Sequence, residues 1–355
     1  MATNDQLLTA SSAANGVILD LGLKQRMREG YTRVDPNFVA STAGVPVMYR
    51  VLERLLGGFI RDGSSVGILI NSDRPRGLVH MTCAHELGHY FLGHESTADE
   101  IVDHGPVASL VEQLADQFAY SLLAPRWLIA RIMSDHGWTL VDLENAHVVY
   151  QLSLRLGTSY TAMVWSLHRL KLFSQAIANR LVAIKPKSLK AYALQGGVLE
   201  HSNADVWVLG PADKDRILEP GYGDRFVVEL PNHAGSGHLW TANEVRSEGF
   251  VLEPLTLDAR EHPRVNRETV KVGAGSSTMS YYLQPPAKFR SPPENEDDLD
   301  PIDDRRRSVE LREQRPWVSD ASAINVLDFS AEFEPGREGL TVSERHKRVE
   351  RMQKN

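Results

Sequence analysis

His85, Glu86 and His89 form a His-Glu-x-x-His run inside Met81-Thr-Cys-Ala-His85-Glu86-Leu-Gly-His89-Tyr-Phe-Leu-Gly-His94. On a helix, positions i and i+4 leave the same face one turn apart. Each imidazole can therefore present a nitrogen to one metal ion about 2 Å away. Glu86 sits one residue along, within reach of a water on that ion without being a ligand. This is the zinc-peptidase pattern, in which the glutamate is the general base. The spacing also fits two histidines on a solvated helix face beside a carboxylate. The apolar flank Leu87, Tyr90, Phe91 and Leu92 favours a half-buried helix, as a site requires.

Two histidines need a third protein donor and leave a fourth position for water. Glu95, Asp99, Glu100, Asp103, His104, Glu112 and Asp116 are in reach. From Val107 to Leu123, Val111, Leu114, Ala115, Phe118 and Leu122 recur at three and four, which predicts a helix stopped at Pro125. Glu112 and Asp116 are i and i+4 on it, so both can aim at one place. One can bind metal while the other holds a histidine N–H and fixes the tautomer. Glu112 is assigned as the ligand and Asp116 as the carboxylate behind a histidine. His94 lies nine residues after His85, where a third histidine ligand of the His-Glu-x-x-His-x-x-Gly-x-x-His type would lie ten after. Leu92 also replaces the required glycine. His94 is read as a C-terminal helix cap favoured by the dipole. Cys83 falls on roughly the opposite face and is read as core packing.

His85-Glu-Leu-Gly-His89 is followed by Glu112-x-x-Ala115-x-x-Phe118-Ala119-x-x-Leu122-Leu123-x-Pro125. With Gly58-Phe-Ile to Ile68-Leu-Ile-Asn71 and Thr82-x-Ala84 ahead of it, this resembles the ImmA/IrrE metallopeptidases over about residues 33–171. The resemblance implies zinc bound by His85, His89 and Glu112, and further helices after the catalytic core. It also implies cleavage of specific regulatory proteins, often helix-turn-helix repressors, in stress responses and mobile elements. Asp116 stands where many members carry Asn, and either side chain accepts an imidazole N–H.

The surrounding chain must position these groups. Residues 1 to about 33 are weakly patterned, with one helix near Leu19 to Arg28. Asp35-Pro36 opens a short helix that stops at Gly44. Val45–Val51, Leu56–Arg61 and Val66–Asn71 read as a small antiparallel sheet, although propensity also allows a helix from Met48 to Leu56. An extended substrate is expected to add to its edge near Gly67 to Asn71. Asp73 or Asn71 is expected to cap the metal helix, which runs from about Pro75 to Gly93. Tyr120 is one candidate for the oxyanion donor. Helices are predicted over Trp127–Ser134, Leu140–Glu144, Ala146–Leu156 and Tyr160–Leu170, with Thr158 or Ser159 capping the last. The join Arg155-Leu-Gly157-Thr-Ser159 looks like helix-turn-helix. Only His168, Arg169 and Lys171 could serve DNA contact, so packing against the peptidase is favoured over nucleic acid.

After a Lys-rich connecting stretch the texture changes to short strands: Val206–Leu209, Arg225–Leu230, Gly249–Leu252, Thr269–Val272, Met279–Leu283 and Ser308–Glu313. Bounded by Gly, Pro, Asn or Asp, they predict a β-sandwich. Gly223-Asp-Arg-Phe226 to Leu230-Pro-Asn-His-Ala-Gly-Ser-Gly-His-Leu-Trp240, Val272-Gly-Ala-Gly-Ser276 and Arg315-Pro316-Trp317 follow in the order found in chagasin-like peptidase inhibitors, which this part resembles. That resemblance implies an immunoglobulin-like sandwich with three loops at one end. The first loop lacks the Pro-Thr-Thr of that family, and ordinary turns with Trp240 and Trp317 in the core are the other reading. Pro292 to Asp304 reads as a solvated acidic loop, and Ser343 to Lys354 as a basic stretch without an apolar face.

The whole is expected to be an α+β zincin-like peptidase domain (1–134), helix-turn-helix-like helices (135–175), a linker (176–200), an all-β immunoglobulin-like sandwich (201–320) and a tail (321–355). A net charge of −7 over 355 residues argues against charge-driven nucleic-acid binding. The single cysteine excludes an internal disulfide and suits a reducing compartment. The N-terminus has no basic segment before an apolar core, and no run approaches a membrane span. The expectation is a cytoplasmic zinc endopeptidase whose partner is a protein substrate, with a transcriptional repressor first in mind. The rivals are a metal-stabilised binding module without catalysis, in which the β part recognises a partner, and a DNA-binding regulator.

Overall fold

The computed structural model describes residues 2–63, 65–96, 109–195, 197, 199, 201–255, 277–291, 304–318 and 322–334. The chain forms two compact units. The first is built from residues up to Ile184 and joined again by Glu334; the second is Lys185–Phe333.

The first unit opens with α1 (Asn4–Asp20) and α2 (Leu23–Arg28). Thr3 starts α1 through a reciprocal box: its hydroxyl accepts from Gln6 N at 3.3 Å, and the Gln6 side chain accepts from Thr3 N at 2.9 Å. Half of the buried stripe Ala10, Ala14, Val17, Ile18 is alanine, which hid this helix in a stretch read as weakly patterned. α3 (Pro36–Thr42) begins as expected, with the Asp35 carboxylate accepting from Asn37 N at 2.9 Å.

β1 (Val47–Arg50), β2 (Gly57–Asp62) and β3 (Ser65–Asn71) form a sheet in the order β1-β3-β2. β3 runs parallel to β1 and antiparallel to β2. The sheet is therefore mixed rather than antiparallel, because residues 51–56 carry the chain across before the hairpin returns β3 to the middle. Both backbone edges of β3 are paired, so a peptide cannot add at Gly67–Asn71; among the described residues the outer strands of the sheet are β1 and β2. Asn71 is wholly buried and pins the crossing segment. Its amide donates to Leu52 O and Leu55 O, each at 2.8 Å, and its oxygen accepts from Leu52 N at 3.2 Å and Asp73 N at 3.0 Å. It does not cap the helix that follows.

That helix is α4 (Arg76–Phe91), which starts after Pro75 without a side-chain cap and is buried at every position from Val79 to His89. α5 (Leu110–Leu123) starts at Ser109, whose hydroxyl accepts from Glu112 N at 3.3 Å. α6 (Arg126–His136), α7 (Ala146–Arg155), α8 (Tyr160–Arg169) and α9 (Gln175–Val182) follow. Ser159 caps α8, accepting from Ala162 N at 3.1 Å. The start of α4 rests on the α7–α8 turn: a Cβ on Gly77 would lie 2.4 Å from Ser159 N.

Glu334 closes a buried charge cluster on the same side of α4. His80, 2% exposed, has Nδ1 at 2.8 Å from Gly157 O and Nε2 at 2.7 Å from the Glu334 carboxylate. Arg33 reaches the same carboxylate oxygen at 3.2 Å, and Arg76 approaches the other at 3.7 Å. Burial pushes the Glu334 carboxyl up, but Arg33, His80 and Arg76 together hold it well below the usual carboxylate range.

The second unit starts with α10 (Pro186–Ala193). Its strands are β4 (Val206–Leu209), β5 (Ile217–Leu218), β6 (Arg225–Asn232), β7 (Leu239–Ala242), β8 (Val251–Pro254), β9 (Ser277–Gln284), β10 (Arg306–Gln314) and β11 (Asn325–Glu332). They form two four-stranded sheets, β4-β6-β9-β8 and β5-β11-β10-β7. Each carries one parallel pair, β4 with β6 and β5 with β11, among antiparallel ones. Phe226, Phe250, Phe289 and Phe333 form an aromatic core, with Phe289 and Phe333 stacked at 4.0 Å.

Two expectations change here. The stretch 176–200, read as a linker, carries most of α9 and all of α10, which bury Ala178, Leu181, Leu189 and Ala193. The stretch 321–355, read as a tail, supplies β11, whose inward Leu327, Phe329 and Ala331 complete a sheet. The predicted strand Thr269–Val272, the loop to Ser276, the acidic run over 292–303 and the basic stretch from Ser343 lie outside the described residues. Among those described, no helix is long and apolar enough to cross a membrane.

Candidate metal centre

α4 presents His85 and His89 one turn apart, and α5 brings Glu112 to them. The approach depends on two small residues at the crossing. A Cβ on Gly88 would meet Ala115 Cα and O at 3.0 Å and Phe118 Cβ at 3.3 Å, so only glycine lets the helices come this close. The glycine inside the His-Glu-x-x-His run and the alanine three after Glu112 are thus a packing pair.

His85 Nε2 lies 3.0 Å from Glu112 Oε2 and 3.0 Å from His89 Nε2, and His89 Nε2 lies 3.6 Å from the same oxygen. Two imidazole nitrogens and a carboxylate oxygen thus converge, and His85, His89 and Glu112 form the one such group among the described residues. Neighbouring ligands on a tetrahedral ion with ~2 Å bonds are roughly 3.3 Å apart, so the donor set fits a zinc-type site that keeps a position open. His85 and His89 are 1% and 0% exposed, whereas Glu112 is partly open. Burial raises the Glu112 carboxyl, but the close approach of His85 and His89 outweighs it and holds the group well below the usual carboxylate range.

Behind the histidines, Asp116 Oδ1 lies 2.9 Å from His85 Nδ1. His94 lies 3.1 Å from His89, Nδ1 to Nδ1, with the rings edge-on at 5.1 Å. His94 keeps its place in the helix C-cap, its backbone N–H bonding to His89 O at 2.9 Å, and adds to it this ring-to-ring contact. Each histidine of the pair therefore has a partner on its far nitrogen. The glycine turn at Gly93, at φ +73°, folds His94 back, and its place next to the helix end was the signal available in the sequence.

Glu86 is wholly buried beside β2. A Cβ on Gly57 would lie 3.0 Å from Glu86 Oε1 and 2.5 Å from Thr82 Cγ2, so this strand passes directly over the carboxylate because residue 57 has no side chain. Sequence reasoning did not single out Gly57. Cys83, wholly buried, has its thiol pushed up by burial first and by Asp35 and Glu86 next, in keeping with core packing. Burial also pushes Tyr120 up to about 12, so it keeps its proton; the Arg169 guanidinium lies 4.2 Å from its ring centre.

Of the basic groups weighed for DNA contact, Arg169 also donates to Gln117 at 3.2 Å, and His168 Nδ1 lies 3.2 Å from Phe173 O. Both are engaged within the unit. In the second unit Trp240 is 7% exposed and core-like, whereas Trp317 is 66% exposed.

Residues 40–167 match the peptidase family model described as an IrrE N-terminal-like domain. The matched stretch holds His85, Glu86, His89, Glu112 and Asp116 and supports the ImmA/IrrE family. A crystal structure of a cysteine protease inhibitor from Entamoeba histolytica is similar at 14% identity, covering 38% of this chain and 100% of that one, with a TM-score of 0.24. That likeness is too slight to carry an argument. No curated protein matches the sequence.

Proposed function

We propose that this protein is a zinc-dependent endopeptidase that cleaves a specific regulatory protein. The carrying observation is the convergence of His85, His89 and Glu112 beside a fully buried Glu86. A zinc ion held by those three would supply Lewis acidity and make water acidic enough to lose a proton near neutral pH. Asp116 and His94 keep the two imidazoles turned so that Nε2 of each faces the ion. Glu86 takes the proton of the attacking water on a carboxylate oxygen and delivers it to the leaving amine.

The resemblance to ImmA/IrrE peptidases makes a helix-turn-helix repressor the substrate class of choice. For the second unit, its two four-stranded sheets support an immunoglobulin-like sandwich that recognises a protein partner. The engagement of Arg169 and His168 weighs against a DNA-reading role. The test is metal analysis of the purified protein together with a proteome comparison of cells carrying wild type or Glu86→Gln. A protein that accumulates intact only in the variant supports the reading; a metal-loaded wild type that changes no protein sinks it.

A further inference from the structure

α4 carries its anchors and its metal pair on different faces. Arg76 and His80 are four apart, so they leave one side of the helix. His85 comes five residues after His80, roughly 140° further round at about 100° per residue. On the anchor side one carboxylate meets three side chains. Glu334 Oε1 lies 2.7 Å from His80 Nε2 and 3.2 Å from Arg33 Nη2, and its Oε2 lies 3.7 Å from Arg76 Nε. His80 Nδ1 is 2.8 Å from Gly157 O, and a Cβ on Gly157 would lie 3.1 Å from that nitrogen, so the α7–α8 turn is pressed close. Arg33, His80 and Glu334 are each at most 5% exposed. α4 has no side-chain cap at its start, and these contacts hold its first turns. Towards the other end, Gly88 seats the helix on Ala115 of α5.

We propose that Glu334 is a positioning residue for the metal centre: it sets the seat of α4 and, through the helix, the placing of His85 against Glu112. This rests on the metal-site reading above. A helix loosened at its start swings about the crossing at Gly88. His80 is eight residues from Gly88, about 12 Å at ~1.5 Å per residue, whereas His85 is about 4.5 Å and His89 about 1.5 Å away. A ~1 Å shift at His80 therefore moves His85 by roughly 0.4 Å and His89 by roughly 0.1 Å, as on a rigid rod. Metal sites hold their ligand distances to about ±0.2 Å, so the first shift exceeds what such a site absorbs and the second does not. The ligand displaced is His85, whose Nε2 is 3.0 Å from Glu112.

Zinc affinity, read by competition with a chromogenic chelator, separates position from stability. Glu334→Ala removes both oxygens and is expected to raise the Kd for zinc roughly three- to tenfold, below the ~10- to 100-fold of a group that touches a ligand directly. Glu334→Gln keeps an oxygen where Oε1 stood and loses the charge, so it should bind zinc as wild type does while being less stable. Glu334→Asp keeps the charge and sets the oxygens back by one bond. It should lose affinity as Glu334→Ala does, and it gives the answer if that variant fails to fold. Leu181→Ala, at a buried position of α9, is the control, with a comparable loss of stability and unchanged affinity. The visible absorption of the cobalt-loaded protein reports ligand geometry and should change in Glu334→Ala and Glu334→Asp alone. Wild-type affinity and spectrum in those two variants, or an equal loss of affinity in Glu334→Gln or Leu181→Ala, overturns the role of Glu334 and leaves the peptidase reading intact. A wild type that takes up no metal overturns both. A metal-loaded wild type that cleaves no member of a proteome-derived peptide library, with the affinities as described, upholds Glu334 and sinks the peptidase reading.

Discussion

Asp116 Oδ1 sits 2.9 Å from His85 Nδ1 and thereby decides which nitrogen of that ring carries the proton. With Nδ1–H donated to the carboxylate, the Nε2 lone pair faces Glu112 and His89. Asp116→Ala should weaken metal binding by roughly 10- to 100-fold. Asp116→Asn, which still offers an oxygen, should cost far less. Competition with a chromogenic chelator measures both.

Glu86→Gln keeps the shape of the buried side chain and removes its basicity. Metal affinity should change little, whereas hydrolysis of the library-derived peptide should fall by about 100- to 10,000-fold. Full activity in this variant would end the general-base assignment.

Gly57 is the close approach between β2 and Glu86. Gly57→Ala puts a methyl 2.5 Å from Thr82 Cγ2, 3.0 Å from Glu86 Oε1 and 3.1 Å from Leu69 O. Overpacking of this kind costs about 1–3 kcal/mol, and here it also shifts the base. Thermal unfolding should show the loss of stability, and kcat should fall more than the metal content does.

Glu334 balances buried Arg33 and His80. Glu334→Ala removes the buried carboxylate that Arg33 and His80 share and should destabilise the first unit by about 3–5 kcal/mol, read from denaturant unfolding. The pH dependence has a definite sign. The folded carboxyl is held below its ordinary value of 4.5, so its contribution is complete above that pH and is lost as pH falls towards the folded value. Wild type should lose stability on acidification through that range, and Glu334→Gln should show a flatter profile.

His94 should matter through His89. His94→Ala removes the partner of His89 Nδ1 and is expected to weaken metal binding, by less than Asp116→Ala because a neutral ring is a poorer partner than a carboxylate. Burial, followed by His89, lowers the His94 pKa, in keeping with an uncharged ring. The same chelator competition measures the difference.

The group that could hold a metal was legible because its geometry is helical and local: His85 with His89, and Glu112 with Asp116, each share a face at a spacing of four. The two helices were legible for the same reason, whereas their starts were not: α4 has no side-chain cap and α5 is capped by Ser109. What was not legible depends on contacts distant in sequence. Gly57 and Gly88 matter only through the backbone that passes over them, and His80 through a carboxylate 254 residues later. The direction of β1 against β3 is likewise set by a crossing segment that Asn71 holds, where local pattern indicated only three strands. α1 was missed because alanines pack against a neighbour without leaving an apolar signature. β11 was missed because its partner β10 and the tail lie across a break in texture.

The placement of Glu334 also sets an order of events during synthesis. Arg33, Arg76 and His80 are translated early, but their counter-charge emerges only after the roughly 150 residues of the second unit. At about 5–20 residues per second, that interval is roughly 8–30 s. During it Arg33, Arg76 and His80 are without the Glu334 carboxylate that joins them in the folded unit. The first unit therefore gains this carboxylate only after the whole of the second unit has been made.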